Sequence, residues 1–305
     1  MKRSSFIVLF YCLFLLLFSL LYFWSSVADA KVRPTVYVVN YPLMYFAQRI
    51  AGDHAQVVLP VPEDVDPAFW KPDAAAVERF QHADLILLNG AGYAKWVSRA
   101  SLPRRKLVDT SAAFHDRYIA TEGGATHSHG REGEHSHAGT AFTTWLDFTQ
   151  AAEQAKSIRD ALSRLTPEHK DEFAANYRAL ESDLLDLDAR LSAISSRRPA
   201  PPIIASHPVY QYMARRYALD LKSVMWEPDA MPNDAEWKNF VELHQRYPAD
   251  LMLWEAAPAP DIAERLRKLG VQSTVFNPCG NRPENGDFMS IMNANIEYLQ
   301  RNFAH

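Results

Sequence analysis

Short apolar runs alternate with amphipathic segments along most of the chain after residue 31. Runs such as TVYVVN (35–40), DLILLNG (84–90) and DLMLWE (250–255) are continuous and aliphatic, which predicts buried strands. Between such runs, segments such as DAAAVERFQHA (73–83) and DIAERLRKLG (261–270) have helical spacing. Strands that alternate with helices predict an α/β fold with parallel sheets covered on both faces.

Several helices carry recognisable end signals. Asp73 is placed to cap the helix that follows it, because a side-chain oxygen before the first turn accepts a free backbone N–H. Asn233 with Glu236 has the spacing of a capping box. The segment VYQYMARRYAL (209–219) predicts a further helix.

One amphipathic segment is much longer than the others. Thr166 and Pro167 have the pattern of an N-cap followed by the first helical residue. Apolar residues then recur at alternating steps of four and three: Phe173, Tyr177, Leu180, Leu184, Leu187, Leu191 and Ile194. We interpret 166–198 as a linking helix between an N-terminal lobe (31–165) and a C-terminal lobe (199–305), each of (βα)4 type. The alternative is a helix that lies on a single domain, but strand and helix signals restart after it.

The N-terminus has the pattern of an export signal. Lys2 and Arg3 precede an uncharged, strongly apolar run, and small residues around Ala28 and Ala30 offer a cleavage point. We expect residues 1–30 to be a signal peptide cleaved after Ala30. The apolar run is long enough to span a bilayer, so an uncleaved N-terminal anchor is the alternative. Either form places the rest of the chain outside the cytoplasm, in the periplasm.

Composition narrows the functional classes. The chain has 305 residues, is 48% hydrophobic and has a formal net charge of −4, so a large core is expected and a nucleic-acid partner is not. Cys279 is the only cysteine outside the apolar N-terminal run, which excludes an internal disulfide in the exported body and predicts a buried, inert thiol. No nucleophile–base pair, phosphate loop or supported pair of acids indicates an enzyme. We expect a monomer.

A histidine-rich segment interrupts the α/β pattern. The stretch THSHGREGEHSHAG (126–139) lies in a predicted loop, 121–140, with no expected strand or helix. It contains two His-x-His pairs, His127 with His129 and His135 with His137. Neutral imidazole is a good ligand for zinc and related metals, and residues i and i+2 of an extended chain point to the same side. We predict metal contact at these four histidines; the alternative is a solvated loop without a ligand.

Five segments in the same order across both lobes resemble one known family. They are DPAFW (66–70), TTWLD (143–147), ASHPVYQYMARRYAL (205–219), VFNPCG (275–280) and GDFMSIMNANIEYL (286–299). Together they resemble the periplasmic metal-binding proteins of bacterial zinc and manganese ABC importers. The histidine-rich loop also falls where that family has one. The resemblance implies two α/β lobes joined by a long helix, zinc as the bound ion, and a membrane permease as partner.

The chain departs from the family at its metal ligands. The resemblance places the four usual ligand positions at Ala68, Thr143, His207 and Asn277. Only His207 keeps a strong metal-ligand type, because Ala supplies no donor and the Thr and Asn oxygens are weak neutral donors for zinc. We therefore expect a divergent member with a degraded cleft site, in which His207 remains the candidate ligand.

Nearby carboxylates offer possible replacements. Asp64 and Asp66 precede Ala68 on the same loop, and Asp147 follows the TTWLD tryptophan. The alternative interpretation, that Asp66 and Asp147 cap neighbouring helices or turns, is favoured. Glu255 ends a strand that faces the same cleft; the resemblance gives it no role as a ligand.

Two functional hypotheses follow. The first is an extracytoplasmic solute-binding protein for a transition metal, most consistent with zinc, that delivers its ion to the permease of an ABC importer. The second is a non-transporting zinc buffer, metallochaperone or adaptor that kept the fold and lost the cleft site. An enzyme ranks last.

Overall fold

The fold described here comes from a computed structural model that describes residues 33–121, 127–128, 134–135, 139–195 and 201–303. For 127–128 and 134–135 the description covers the backbone. The predicted export segment lies outside these ranges. Within them, no helix is both long enough and apolar enough to cross a membrane.

The first lobe contains a four-stranded parallel sheet in the order β2-β1-β3-β4. Its strands are β1 (Thr35–Val38), β2 (Gln56–Val58), β3 (Leu85–Leu88) and β4 (Leu107–Asp109). The central strands β1 and β3 are mostly buried. Such short, continuous aliphatic strands are typical of a sheet covered on both faces.

Two short antiparallel ladders follow β4. In one, β5 (Ala120–Thr121) pairs with β8 (Gly139–Thr140). In the other, β6 (His127–Ser128) pairs with β7 (Glu134–His135). The predicted loop 121–140 therefore leaves and rejoins the lobe at a hydrogen-bonded base.

The second lobe repeats the topology of the first. Its parallel sheet has the order β10-β9-β11-β12. The strands are β9 (Ile203–Ala205), β10 (Leu221–Ser223), β11 (Leu251–Trp254) and β12 (Gln272–Val275). In both sheets the chain changes direction between the two central strands, and this switch point is where open α/β sheets bind ligands, outside the carboxyl ends of the strands.

Eight α-helices within the described ranges complete the two lobes. They are α1 (Tyr41–Ala51), α2 (Ala74–His82), α3 (Phe148–Leu165), α4 (Lys170–Ser195), α5 (Gln211–Arg216), α6 (Asp234–Arg246), α7 (Pro260–Lys268) and α8 (Phe288–Phe303). The α/β class with parallel sheets in two lobes is confirmed.

The long helix α4 buries the face that its sequence predicts. All seven apolar residues at the alternating steps of four and three are buried. At 1.5 Å per residue its 26 residues span about 39 Å. It packs against α1 and α3 of the first lobe and against α8 of the second. The exact lobe boundaries remain predictions, and the one at 198/199 falls in 196–200, outside the described residues.

Asp188 ties α4 to the second lobe through a buried polar contact. Its carboxylate accepts hydrogen bonds from the Arg216 guanidinium at 2.8 and 2.7 Å and from the Tyr217 hydroxyl at 3.0 Å. Burial, reinforced by the charge of Asp188, raises the pKa of Tyr217. The phenol therefore stays protonated and continues to donate.

The hydrophobic core is continuous between the lobes. One cluster includes residues of both sheets together with α1, α3, α4 and α8. A second cluster lies within the second lobe and is centred on aromatic side chains: Trp226, Trp237, Phe240 and Trp254. The linking helix is thus embedded in a shared core.

Two predicted helix caps are confirmed. Asp73 accepts a hydrogen bond from the Ala76 N–H at 2.7 Å. Asn233 caps α6, and the Glu236 carboxylate accepts the Asn233 backbone N–H at 2.7 Å, which completes the capping box. Side-chain oxygens at these positions satisfy backbone donors that have no partner inside the helix.

Two helix predictions are corrected. Thr166 does not cap α4, because its hydroxyl bonds back to the Leu162 carbonyl at 3.3 Å and a 3-10 turn precedes the helix. The predicted helix 209–219 contracts to Gln211–Arg216. Ala218 adopts a left-handed backbone, φ 51°, which an apolar pattern does not reveal.

Adjacent leucines of α4 provide a test of this packing. Leu184 is 0% exposed and Leu185 is 44% exposed. We expect Leu184→Ala to lower the free energy of unfolding by about 2–5 kcal/mol, because it leaves a cavity in the shared core. Leu185→Ala should change it by less than about 0.5 kcal/mol. Urea unfolding of the two variants, followed by tryptophan fluorescence, measures both; equal losses would contradict the assigned face.

Candidate functional site

The carboxyl edge of the second sheet carries four polar side chains. His207 comes just after β9, Glu227 follows β10, Glu255 follows β11 directly, and Asn277 follows β12. Because the carboxyl ends of parallel strands meet at one edge of a sheet, residues far apart in sequence lie close together there. His207 and Glu255 flank the switch point of the sheet.

His207 is buried between two carboxylates. Its residue exposure is 2%. Its Nδ1 atom lies 3.1 Å from Glu255 Oε1, and its Nε2 atom lies 3.3 Å from Glu227 Oε1. Each ring nitrogen therefore faces a carboxylate oxygen.

The two carboxylates decide the protonation state of His207. Burial alone would lower the pKa of this imidazole, but the hydrogen bonds to Glu227 and Glu255, with their charges, outweigh it and raise the pKa from 6.5 to about 9. At neutral pH the metal-free protein thus holds an imidazolium. A metal ion at either nitrogen must displace a proton.

His207 and Glu255 open on a cavity of about 350 Å³ between the lobes. The first lobe contributes the carboxylates of Glu63, Asp64 and Asp66 to its wall. No Lys or Arg is found among the described residues that line it. A cleft with walls of one charge sign concentrates ions of the opposite sign, so this cavity favours a cation.

Direct hydrogen bonds hold the lobes together around the cavity. The Trp145 indole N–H donates to the Pro278 carbonyl at 2.7 Å, and the Asn281 amide donates to the Val65 carbonyl at 2.8 Å. The Thr143 hydroxyl donates to the Val209 carbonyl. Each of these contacts joins the first lobe to the second.

Three of the four family ligand positions line this cavity. They are Thr143, His207 and Asn277, and the neighbours of Ala68 line it too, although Ala68 itself is buried against another surface groove. Three of the four positions therefore line one cleft, and the fourth lies on a loop whose other residues form its wall.

The replacements for the missing ligands have structural roles. The Thr143 hydroxyl is used in closing the lobes. The Asn277 side-chain oxygen accepts the Cys279 backbone N–H at 2.7 Å and supports a turn in which Cys279 has φ 59°. The oxygens of Thr143 and Asn277, which are weak zinc ligands, are thus both used in hydrogen bonds to the backbone.

Two of the three aspartates weighed as replacement ligands, Asp66 and Asp147, are capping residues. Asp66 Oδ1 accepts the Ala68 N–H at 2.8 Å. Asp147 Oδ1 accepts the backbone N–H groups of Thr149 and Gln150 at 3.1 and 3.3 Å and caps α3. The favoured interpretation of these aspartates as caps agrees with this geometry.

The cleft contains no ready-made metal cage in the described part of the chain. No three His, Cys, Asp or Glu donors there lie within 4.8 Å of one another. Glu255 and Glu227 approach His207 at different ring nitrogens, so the three do not converge on one point. The expectation of a degraded site agrees with this arrangement.

Two dipeptides of the histidine-rich segment form a strand ladder that its sequence does not predict. His127 and His135 are register partners in the β6–β7 ladder. The expectation of a segment without strands was wrong here, because two residues per strand are too few to produce a periodic signal. His129 and His137 lie outside the described residues.

Glu227 is a functional candidate that the sequence analysis missed. It follows β10 after a short apolar run and is not part of any motif used there. The parallel topology supplies the signal, since an acidic residue after any strand of the second sheet lies at the same edge as His207.

Cys279 is buried and has no disulfide partner among the described residues. Burial, with a contribution from the Asp287 carboxylate, raises the pKa of its thiol to about 12. The expectation of an inert thiol agrees with this environment.

Two α/β lobes of equal topology, joined by a long helix around an acidic cleft, define a bilobed binding protein. Residues 36–302 match the family model described as "Zinc-uptake complex component A periplasmic" (ZnuA), and the chain belongs to this family. The family predicted from the motifs is confirmed. It is a family of uptake-complex components, not a class of enzymes.

Curated relatives agree with this assignment. The chain is 27% identical over 286 residues to the zinc-binding lipoprotein AdcA of Streptococcus pneumoniae; the match covers 90% of this chain and 56% of that relative. It therefore spans just over half the length of AdcA. It is 25% identical over 292 residues to the high-affinity zinc uptake system protein ZnuA of Bacillus subtilis, with 90% and 89% covered.

Solved structures show the same fold. The metal-dependent lipoprotein YcdH of Bacillus subtilis superposes with a TM-score of 0.76 at 21% identity, covering 88% of this chain and 98% of that one. Zn(II)-bound AdcA of Streptococcus pneumoniae gives 0.75 at 23% identity, covering 90% and 58%.

The ion pairs of His207 predict a pH-dependent stability in the metal-free protein. A pKa raised in the folded state adds stability that is fully present below about pH 6.5 and is lost as the pH rises through about 9. Glu255→Gln removes one carboxylate, so the pKa of His207 should fall. The decrease in the free energy of unfolding between these pH values should then be smaller than in the unmodified protein. Urea unfolding in chelator at several pH values compares the two. Identical pH profiles would contradict the ion pair.

Proposed function

We propose that this protein is an extracytoplasmic solute-binding protein that captures zinc in the cleft between its lobes and delivers it to the permease of an ABC importer. The observation that carries the proposal is the buried His207, paired with Glu255 at the switch point of the second sheet and opening on an acidic cavity. Family membership supports uptake, with zinc as cargo, over a non-transporting buffer, metallochaperone or adaptor.

The spacing of His207 and Glu255 suits a shared zinc ion. Nδ1 and Oε1 are 3.1 Å apart. Two ligands of a tetrahedral zinc ion with bonds of about 2.0–2.1 Å lie about 3.3 Å from each other. The two atoms thus have nearly the separation that a shared zinc ion requires, and Glu255 would turn aside from the imidazole N–H axis to admit the ion.

The remaining coordination would come from oxygen. Asp64 lines the opposite wall, and water can complete the set because the cavity is wider than one ion. One imidazole with oxygen ligands discriminates less sharply among zinc, manganese and related ions than a cage of several imidazoles does. We therefore expect weaker selectivity for zinc than a three-histidine cage would give.

We propose a second, weaker role for the histidine-rich segment. His127, His129, His135 and His137 would collect zinc. Ordering the segment around an ion costs about 1–2 kcal/mol per residue in backbone entropy, so this capture should be weaker than binding in the cleft.

The protein acts by binding and release, with no covalent step. Its partners in this proposal are the zinc ion and the permease, it works as a monomer, and its place is the periplasm. Relatives that carry uptake or zinc-binding names support this assignment.

Zinc titration of the purified protein tests the cleft. We expect His207→Ala to weaken zinc binding at the tightest site by more than about tenfold. Changes to residues that only support a metal ligand already cost about 10–100-fold in affinity, and loss of the ligand itself should cost at least as much. His82→Ala is the matched control, because His82 is exposed and does not line the cleft. Isothermal titration calorimetry after chelator treatment measures both variants.

Deletion of residues 126–138 separates the two roles. If the tight site survives the deletion and disappears in His207→Ala, the cleft assignment stands. Loss of all zinc binding on deletion, with His207→Ala unchanged, would contradict it and favour a buffering protein.

A further inference from the structure

A second group of metal-ligand side chains lies outside the cleft. His54 ends the 3-10 turn Gly52–His54 after α1, His169 ends the turn Pro167–His169, and Glu172 lies in the first turn of α4. One ligand atom from each lies within 4.8 Å of the other two, a convergence found nowhere else in the described part of the chain.

The two imidazoles face each other closely. Their ring centroids are 3.6 Å apart and the planes differ by 18°. Glu172 Oε2 lies 2.8 Å from His54 Nε2. The carboxylate thus contacts one ring, and the second ring lies stacked beside it.

The surrounding structure holds these groups in place. Phe173 is fully buried and its ring lies 6.0 Å from both imidazoles. The Asn176 side chain donates to the Ile50 carbonyl at 3.1 Å, which ties α4 to the last turn of α1. The cluster therefore has a rigid base on two helices that are distant in sequence.

We propose that His54, His169 and Glu172 form a second binding site for a divalent transition metal of the zinc class. Two imidazoles and a carboxylate are three donors of the types that zinc prefers, and water would fill a fourth position. The three ligand atoms, at most 4.8 Å apart, must settle at about 3.3 Å from one another, and the stacked rings must turn toward one point; rotation of the partly exposed side chains provides this change.

The site is accessible without any movement of the lobes. The His54 and Glu172 side chains are 27% and 53% exposed. None of the three residues lines the cleft cavity. The site is therefore separate from the proposed cargo site, and its ion would cross-link the end of α1 to the start of α4.

The test uses zinc chloride and the full chain in a background that lacks the other candidate ligands. This background combines His207→Ala with deletion of residues 126–138. We expect one zinc ion to remain bound and zinc to raise the melting temperature, because an ion held only by the folded state stabilises it.

Single changes in this background identify the ligands. His54→Ala and His169→Ala should each weaken zinc binding by more than about tenfold and abolish the zinc-dependent rise in melting temperature. Glu172→Gln keeps the size and a hydrogen-bond acceptor and should also weaken binding. His82→Ala is the control and should change neither readout. Circular dichroism of each metal-free variant confirms that it is folded.

Absence of zinc binding in the background, or binding that survives His54→Ala and His169→Ala, would overturn this inference. Visible absorption of Co²⁺ added in place of zinc gives a second readout, because tetrahedral nitrogen and oxygen ligation produces intense bands. If zinc binds tightly through His207 in the unmodified protein but the background binds none, only the second-site inference fails. If the background binds zinc through His54 and His169 but His207→Ala does not weaken the tightest site, only the cleft proposal fails.

Discussion

The paired contact of His207 with Glu227 and Glu255 is the interaction around which the cleft is organised. It depends on the topology of the second sheet, whose parallel strands bring their carboxyl ends to one edge. This contact is costly to break, because the buried imidazole would lose the charges that compensate its own. The same contact presents two ligand types at the mouth of an acidic cavity. The parallel order of the strands therefore determines both the fold of the second lobe and the position of the site.

The cleft keeps a two-lobed shape although two positions that the resemblance assigns to metal ligands hold weaker ones. Thr143 and Asn277 stand where the family resemblance expects stronger donors, and both bond to backbone atoms. Thr143 helps to close the lobes, and Asn277 supports a strained turn beside them. Such contacts stabilise the same two-lobed form that a bound ion would otherwise help to hold. What remains for coordination is one imidazole and a surplus of carboxylates.

Periodicity and end signals were enough to predict most of the fold. The seven-residue face of α4 and the caps at Asp73 and Asn233 depend on local spacing, which the sequence displays directly. The shortened α5 was not predictable, because it depends on the backbone angle of Ala218. The β6–β7 ladder was missed because its strands are too short to form a pattern. Thr166 was expected to cap α4, but its hydroxyl bonds back to the preceding helix; this too depends on the turn before α4, which local spacing does not show.

The site was only partly predictable for a related reason. His207 and Glu255 were found by motif and by position at the end of a strand. Glu227 was missed, since it belongs with them only through strand order. His54 and His169 are more than a hundred positions apart and meet because α4 packs against α1. Clusters of this kind depend on tertiary contacts and leave no trace in local spacing.

The central claim is that the interlobe cleft binds the ion through His207. Zinc-edge anomalous scattering from crystals grown with stoichiometric zinc tests it most directly. We expect a peak within bonding distance of a His207 ring nitrogen and a Glu255 carboxylate oxygen. Zinc found elsewhere on the protein, with the His207 ion pairs intact and no peak between the lobes, would contradict the account.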